Sequence, residues 1–133
     1  MWLQSILLNV TLSVTKTLRS FRYAWHGIYL VVRYENNTRV HLLASVAAVA
    51  LGMLLGLSSL EWALVLMQIG LVWAAETFNT ALEKLVDLVS PEYHPLAGKV
   101  KDMAAGAVLI VSLMSVVVGG IIFGSRAYAW WVG

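Results

Sequence analysis

The sequence predicts an all-α membrane protein, with three transmembrane helices preceded by an amphipathic surface helix. Sixty per cent of its 133 residues are hydrophobic, and the mean hydropathy is +0.80. A soluble core of this size needs more polar surface. Three long apolar stretches, at about 40–57, 62–88 and 102–123, are each long enough to cross a bilayer. Residues 16–33 instead interleave cations with aromatic and aliphatic side chains. One integral-membrane domain accounts for the whole length.

The surface helix is read from spacing. Leu18, Phe21, Trp25, Ile28, Tyr29 and Val32 fall on one face at 100° per residue, and Lys16, Arg19, Arg22, His26 and Arg33 occupy the neighbouring sector. Such a helix lies in the headgroup layer of an anionic membrane. Its cations could also hold phosphates. Residues 1–14 lack the basic start and cleavage site of a leader and are read as the beginning of this helix.

The run YENNT, residues 34–38, breaks the apolar pattern, and Asn36 and Asn37 suit a turn or helix start. The first span follows over 40–57. Gly52 and Gly56 form a small-xxx-small pair expected to permit close helix packing. A short turn at 58–61 leads to the second span. Pro91, Pro95 and Gly98 predict a loop over 90–100. The third span is expected from Lys101 or Asp102 to Phe123, with Trp130 and Trp131 as an interfacial belt.

The second span carries the chemistry. It has no charge from Trp62 to Ala75; then come Glu76, Asn79, Glu83 and Asp87, in steps of three, four and four. On one helix these share a face. Measured from Trp62, Glu76 lies roughly 21 Å into an apolar layer of about 30 Å, and Glu83 roughly 31 Å, at its far boundary. A submerged carboxylate costs roughly 2–4 kcal/mol on insertion scales. Glu76 can act as a general base toward a lipid hydroxyl; the bland alternative is a neutral acid that glues helices together. Glu35 and Glu83, at one membrane level, suit Mg²⁺. Lys99, Lys101 and Asp102 could meet phosphates or cap the next helix, and Tyr93 and His94 offer faces and donors to a base.

Eight of the nine Lys and Arg residues lie before the first span or between the second and third; Arg126 alone lies on the other side. The positive-inside rule therefore puts the N-terminus and the 84–101 segment in the cytoplasm, facing ATP. A net charge of +2 argues against a nucleic-acid partner. No cysteine is present, which excludes thiolate metal sites and cysteine nucleophiles. Soluble nucleotide-binding motifs are also missing: there is no GxxxxGK[ST], HRD or DFG. Phosphoryl transfer here has to rest on positioning and metal electrostatics.

The run ENNTRVHLL (35–43) and the run AAETFNTALEKLVDLVSPEYHPLAGKVKDMAAGAVLI (74–110) resemble the prokaryotic diacylglycerol kinase and undecaprenol kinase family. The likeness spans about residues 16–123 and is carried by the paired signatures ExxNTAxExxVD and EYHxLxxxxKDMAA. It implies a three-span lipid kinase of the bacterial inner membrane, acting as a homotrimer with sites between protomers. MgATP and a membrane lipid, diacylglycerol or undecaprenol, are the implied substrates. Carried over by position, Glu76 is the catalytic base, and Glu35 and Glu83 are the magnesium ligands. Nucleotide contacts fall on Lys16, Tyr23, Glu92, Tyr93, His94, Lys101 and Asp102. Trp25, Arg39 and Asn79 line the lipid side. Lys16 stands where relatives use arginine, and His41 where enterobacterial-type members carry an acid. The RVHLL wording is closer to undecaprenol kinases of Gram-positive bacteria or to cyanobacterial sequences. Two other readings compete: a small proton-coupled transporter working through Glu76, which leaves the carboxylate and lysine cluster unexplained, and a purely structural membrane subunit.

Overall fold

A computed structural model describes residues 14–133, and all the regular structure there is helical. The helices are α1 (Val14–Tyr34), α2 (Asn36–Leu55), α3 (Ser59–Val89) and α4 (Pro95–Val132). They form two compact units: α1 by itself, and residues 35–133. The part of the expected surface helix that falls on residues 1–13 lies outside the described residues.

Along α1, Leu18, Phe21, Trp25, Ile28 and Tyr29 are all exposed, as an interfacial helix requires. Near its end the Arg33 guanidinium donates to the Tyr29 hydroxyl at 2.8 Å and lies 5.9 and 5.8 Å from the ring centres of Tyr29 and Tyr34. These contacts place a cation in the last turn, where it opposes the helix dipole.

In the second unit α2, α3 and α4 are each long and apolar enough to cross a membrane. Most of their large apolar side chains face outward, Leu43, Leu54, Phe78 and Met103 among them, as lipid-facing surface does. α3 has 31 residues and α4 has 38, about 46 and 57 Å at 1.5 Å per residue. Both exceed the hydrocarbon layer of about 30 Å, so they tilt or project beyond it.

α2 begins earlier than the apolar run suggests. Glu35 is extended (φ −105°, ψ 122°) and serves as its N-cap residue, although its side chain makes no capping bond. α2 ends at Gly56, whose φ of 64° lies in the left-handed region and suits glycine at C′. The two glycines expected to form one packing face thus do different work. Gly56 stops the helix, whereas Gly52 receives the Trp62 ring. A Cβ on Gly52 would lie 2.8 Å from Trp62 Cη2 and 3.0 Å from Cζ2.

α3 opens with a reciprocal cap: the Ser58 hydroxyl accepts from the Glu61 amide, and the Glu61 carboxylate accepts from the Ser58 amide at 2.7 Å. Glu61 also accepts from Arg126 of α4, whose Nε lies 2.9 Å from Oε1, and it pairs with the Arg126 Nη2. Arg126, counted from sequence as an isolated outer cation, is therefore tied to the start of α3. Beside this turn lies the small apolar core of Leu57, Val65 and Ile122, flanked by Trp62 and Phe123.

The loop between α3 and α4 is only residues 90–94, not 90–100. Pro95 occupies the first turn of α4, where its missing N–H costs nothing. Gly98 lies inside the helix and donates to the His94 carbonyl at 3.1 Å. The cap is His94, whose Nδ1 accepts from the Leu96 amide at 3.2 Å, so the expectation that Asp102 caps this helix is overturned. Asp102 lies seven residues inside the helix and is exposed.

Gly52→Leu should drive a branched side chain into the Trp62 ring. Overpacking of this kind costs about 1–3 kcal/mol; a lowered thermal midpoint in detergent, with Gly52→Ser less affected, is the expected result.

Candidate active site

At the end opposite the apolar core, the start of α2 meets the second half of α3. From α3 come Glu76, Asn79 and Thr80, which are 3, 7 and 8 % exposed. From α2 comes Thr38, at 0 %. The predicted column is therefore turned inward, and Glu76 does not look out at acyl chains. The cause is the 3.6-residue repeat: 76, 79, 80 and 83 stay on one side of α3, while 35, 38 and 41 stay on one side of α2.

Asn79 donates from Nδ2 to Glu83 Oε1 at 3.1 Å, so the inner and outer parts of the column are joined by a hydrogen bond. The Asn79 Oδ1 is buried and has no partner, and neither does the Thr38 hydroxyl. Glu35 and Glu83 lie close enough for their charges to act on Glu76. Lys84 pairs with Glu35 at 3.0 Å and ties the cap of α2 to α3. His41 brings its Nε2 to 3.9 Å from Glu76 Oε2.

A second cluster surrounds the α3–α4 loop. Glu92, Tyr93, His94 and Lys101 line a cavity of about 190 Å³ with Asp87. Lys101 Nζ donates to Asp87 Oδ1 at 2.8 Å. Asp87, the last member of the predicted column, thus turns toward α4 and holds a lysine expected to meet phosphate. Tyr93 is 91 % exposed, leaving its ring open to a flat ligand.

Of the other predicted positions, Arg39 and Asp102 are exposed on α2 and α4, and Lys16, Tyr23 and Trp25 are exposed on α1, the other compact unit. No group of three or more His, Asp or Glu side chains is gathered for a metal among the described residues. A cation at Glu35 and Glu83 therefore needs further oxygens from phosphate or water.

A third feature escaped sequence reasoning. Inside the α2–α4 bundle lies a cavity of about 240 Å³, with His41 at one end and Phe123 at the other. Besides His41, its polar lining residues are Ser45, Gln68, Ser112 and Ser115. Trp73 Nε1 donates to Ser45 Oγ at 3.1 Å, Ser115 Oγ to Gln68 Oε1 at 3.0 Å, and Ser112 Oγ is unpaired. Thr38, His41 and Ser45 follow Glu35 at helical spacing. That polar stripe was the available signal, hidden because Thr and Ser are common in apolar helices.

The profile of the prokaryotic diacylglycerol kinase family matches residues 22–123. This chain belongs to that family. It is similar to the undecaprenol kinase of Bacillus subtilis, 38 % identical over 110 residues, covering 83 % of this chain and 89 % of the relative. It is 43 % identical to a diacylglycerol kinase of Synechocystis over 104 residues, 77 % of this chain but only 59 % of that longer protein. The diacylglycerol kinase of Escherichia coli K12 is 31 % identical over 109 residues, covering 82 % of this chain and 89 % of the relative. This member of the prokaryotic diacylglycerol kinase family is thus a membrane lipid kinase, and the transporter reading of Glu76 gives way to it.

In this lipid kinase Asn79 is the amide between two carboxylates. Asn79→Asp replaces a donor to Glu83 with a like charge. Lipid phosphorylation should fall by roughly tenfold or more, the effect of at least one pH unit on a neighbouring acid, while helix content by circular dichroism stays unchanged.

Proposed function

We propose that the enzyme transfers the γ-phosphoryl group of MgATP to the hydroxyl of a membrane lipid, diacylglycerol or undecaprenol, at the cytoplasmic face of the bacterial inner membrane. The observation that carries this reading is the depth ordering of the acids. Glu76 is 3 % exposed, while Glu35 retains 24 % of its side-chain exposure and Glu83 is half-buried. An apolar lipid presents its hydroxyl from the membrane side; a nucleotide arrives from water. The two acid levels suit that meeting.

Glu76 is the base. It takes the proton of the lipid hydroxyl as the oxygen bonds to the γ-phosphorus and the bond to the β-phosphate oxygen breaks, releasing ADP. The protonated acid then returns its proton to water. Asn79 orients the site through Glu83, and its unpaired buried Oδ1 is an acceptor placed for the incoming hydroxyl. Thr38, buried and unpaired, can serve the same oxygen as donor.

Glu35 and Glu83 supply hard oxygen donors, and neither is sealed from water, so the donor set fits Mg²⁺. Bound with the nucleotide, the ion neutralises charge on the phosphate oxygens. Lys101 is already aimed and held by Asp87, a geometry suited to a phosphate beside Tyr93 and His94. Lys16, Tyr23 and Asp102 complete the proposed nucleotide contacts, and Trp25 and Arg39 the lipid side. A homotrimer with sites between protomers is part of the same reading, as is cytoplasmic placement, which rests on eight of nine basic residues lying on one side.

Glu76→Gln should remove turnover while MgATP binding persists; normal turnover in that variant would sink the base assignment. Purified protein given radiolabelled ATP should phosphorylate diacylglycerol or undecaprenol in mixed micelles. Separating the two products decides which lipid is preferred, and label in neither would overturn the reading. Lys101→Met should raise the KM for ATP roughly tenfold or more, as expected when one charged hydrogen bond is lost, with little change in the KM for lipid.

A further inference from the structure

We propose that Gly98 is a substrate-contact position of this kinase: its bare backbone is the floor against which the flat base of the nucleotide lies. The inference deepens the proposed function and rests on the cavity beside the α3–α4 loop being the nucleotide's.

Gly98 stands where the helix itself has no use for glycine. It lies within α4 (Pro95–Val132), and its amide donates to the His94 carbonyl at 3.1 Å. Glycine there weakens the helix relative to alanine. Two structural needs can justify it, a left-handed backbone or the close approach of a neighbour. Neither applies. Among the described residues positive φ occurs at Gly56 and not at Gly98. A Cβ built on Gly98 meets no neighbouring atom within 4 Å, whereas one on Gly52 would strike the Trp62 ring.

What lies over Gly98 is a cavity. The residue is half-buried and lines the space of about 190 Å³ between the end of α3 and the start of α4. Gly70, Gly106, Gly120 and Gly124 also have nothing within 4 Å of a built Cβ, yet they line neither this cavity nor the one of 240 Å³. Val86, Pro91 and Ala97 make part of the wall around Gly98 apolar, and Tyr93 adds an aromatic ring. Apolar walls, a ring and an uncovered peptide suit a flat body with few polar groups.

The charged part of the cavity tells which ligand that body belongs to. Lys101 follows Gly98 by three residues, so the two share one face of α4. Lys101 Nζ gives an N–H to Asp87 at 2.8 Å, and an ammonium has three to give. The other donors can take a phosphate without breaking the tie to Asp87. Because the same cavity reaches both Lys101 and Gly98, a ligand with its phosphates at the lysine has room for its base over the glycine. A nucleoside triphosphate has both parts.

A side chain at this position acts in two opposite directions. Gly98→Ala removes the helical cost of glycine and stabilises the fold, while its methyl group occupies the floor and weakens nucleotide binding. Gly98→Leu fills more of the cavity. A glycine kept for packing would show the reverse for stability.

The experiment measures the KM for ATP and for the preferred lipid in mixed micelles for the native enzyme, Gly98→Ala, Gly98→Leu and Lys101→Met. Each is also tested for its thermal midpoint in detergent and for inhibition by magnesium tripolyphosphate, which has the phosphates and no base. Gly98→Leu should raise the KM for ATP roughly tenfold or more, the effect of overpacking one contact, with the KM for lipid and the tripolyphosphate inhibition constant within about twofold of native. Gly98→Ala should show a smaller rise in the KM for ATP together with a higher thermal midpoint, and it decides alone if Gly98→Leu does not fold. A native KM for ATP in the folded Gly98 variants overturns the proposal, as does a lowered midpoint with both KM values raised in Gly98→Ala. A tripolyphosphate constant that rises as much as the KM for ATP sets Gly98 against the phosphates and overturns the assignment to the base. Failure of the native enzyme to phosphorylate either lipid, or a native KM for ATP in Lys101→Met, overturns the underlying reading and this proposal with it. A raised KM for ATP in Lys101→Met beside native values in the Gly98 variants overturns this proposal alone.

Discussion

A carboxyl group inside a membrane helix can remain there only if neighbouring helices shelter it from lipid and give it polar company. Glu76 sets that requirement for this protein. Its helix presents Asn79, Thr80 and Glu83 on the same side, and α2 answers with Glu35, Thr38 and His41. Thr38 is fully buried and Glu76 nearly so, so the two helices are closest in chemistry where their sequences are most polar. The site and the helix packing there are one arrangement.

The opposite end of the bundle holds the helices at their required register. Gly52 admits the Trp62 ring, Gly56 ends α2 in a left-handed turn, and the Ser58–Glu61 cap starts α3. Arg126 ties α4 to the same cap. A rigid turn at this end is far from Glu76, about 26 Å along α3 at 1.5 Å per residue. Register established there is carried along unbroken helix, and the polar ties of Ser45 with Trp73 and of Ser115 with Gln68 reinforce it midway. Beside Glu76, the buried Thr38 Oγ1 and Asn79 Oδ1 have no hydrogen-bond partner.

The relatives bracket the chemistry without choosing a lipid. One is an undecaprenol kinase and others are diacylglycerol kinases, and both acceptors are alcohols at the end of long apolar chains.

Much of the chain was legible before any coordinates. Composition and apolar run length determined three spans, since hydrocarbon leaves the backbone no alternative to helix. The spacing of Glu76, Asn79 and Glu83 determined that they share a face, since helical geometry alone does that. Tertiary structure decided which way that face turns, that Asp87 leaves the column for Lys101, and that Glu61 meets Arg126 across 65 residues. It also placed the start of α4 at Pro95, where local reading of Pro and Gly had extended the loop. Periodicity is a property of a single helix and is written in its residues. Which side chain answers another across the bundle depends on the rotation and register of two helices, and no spacing within either one specifies those.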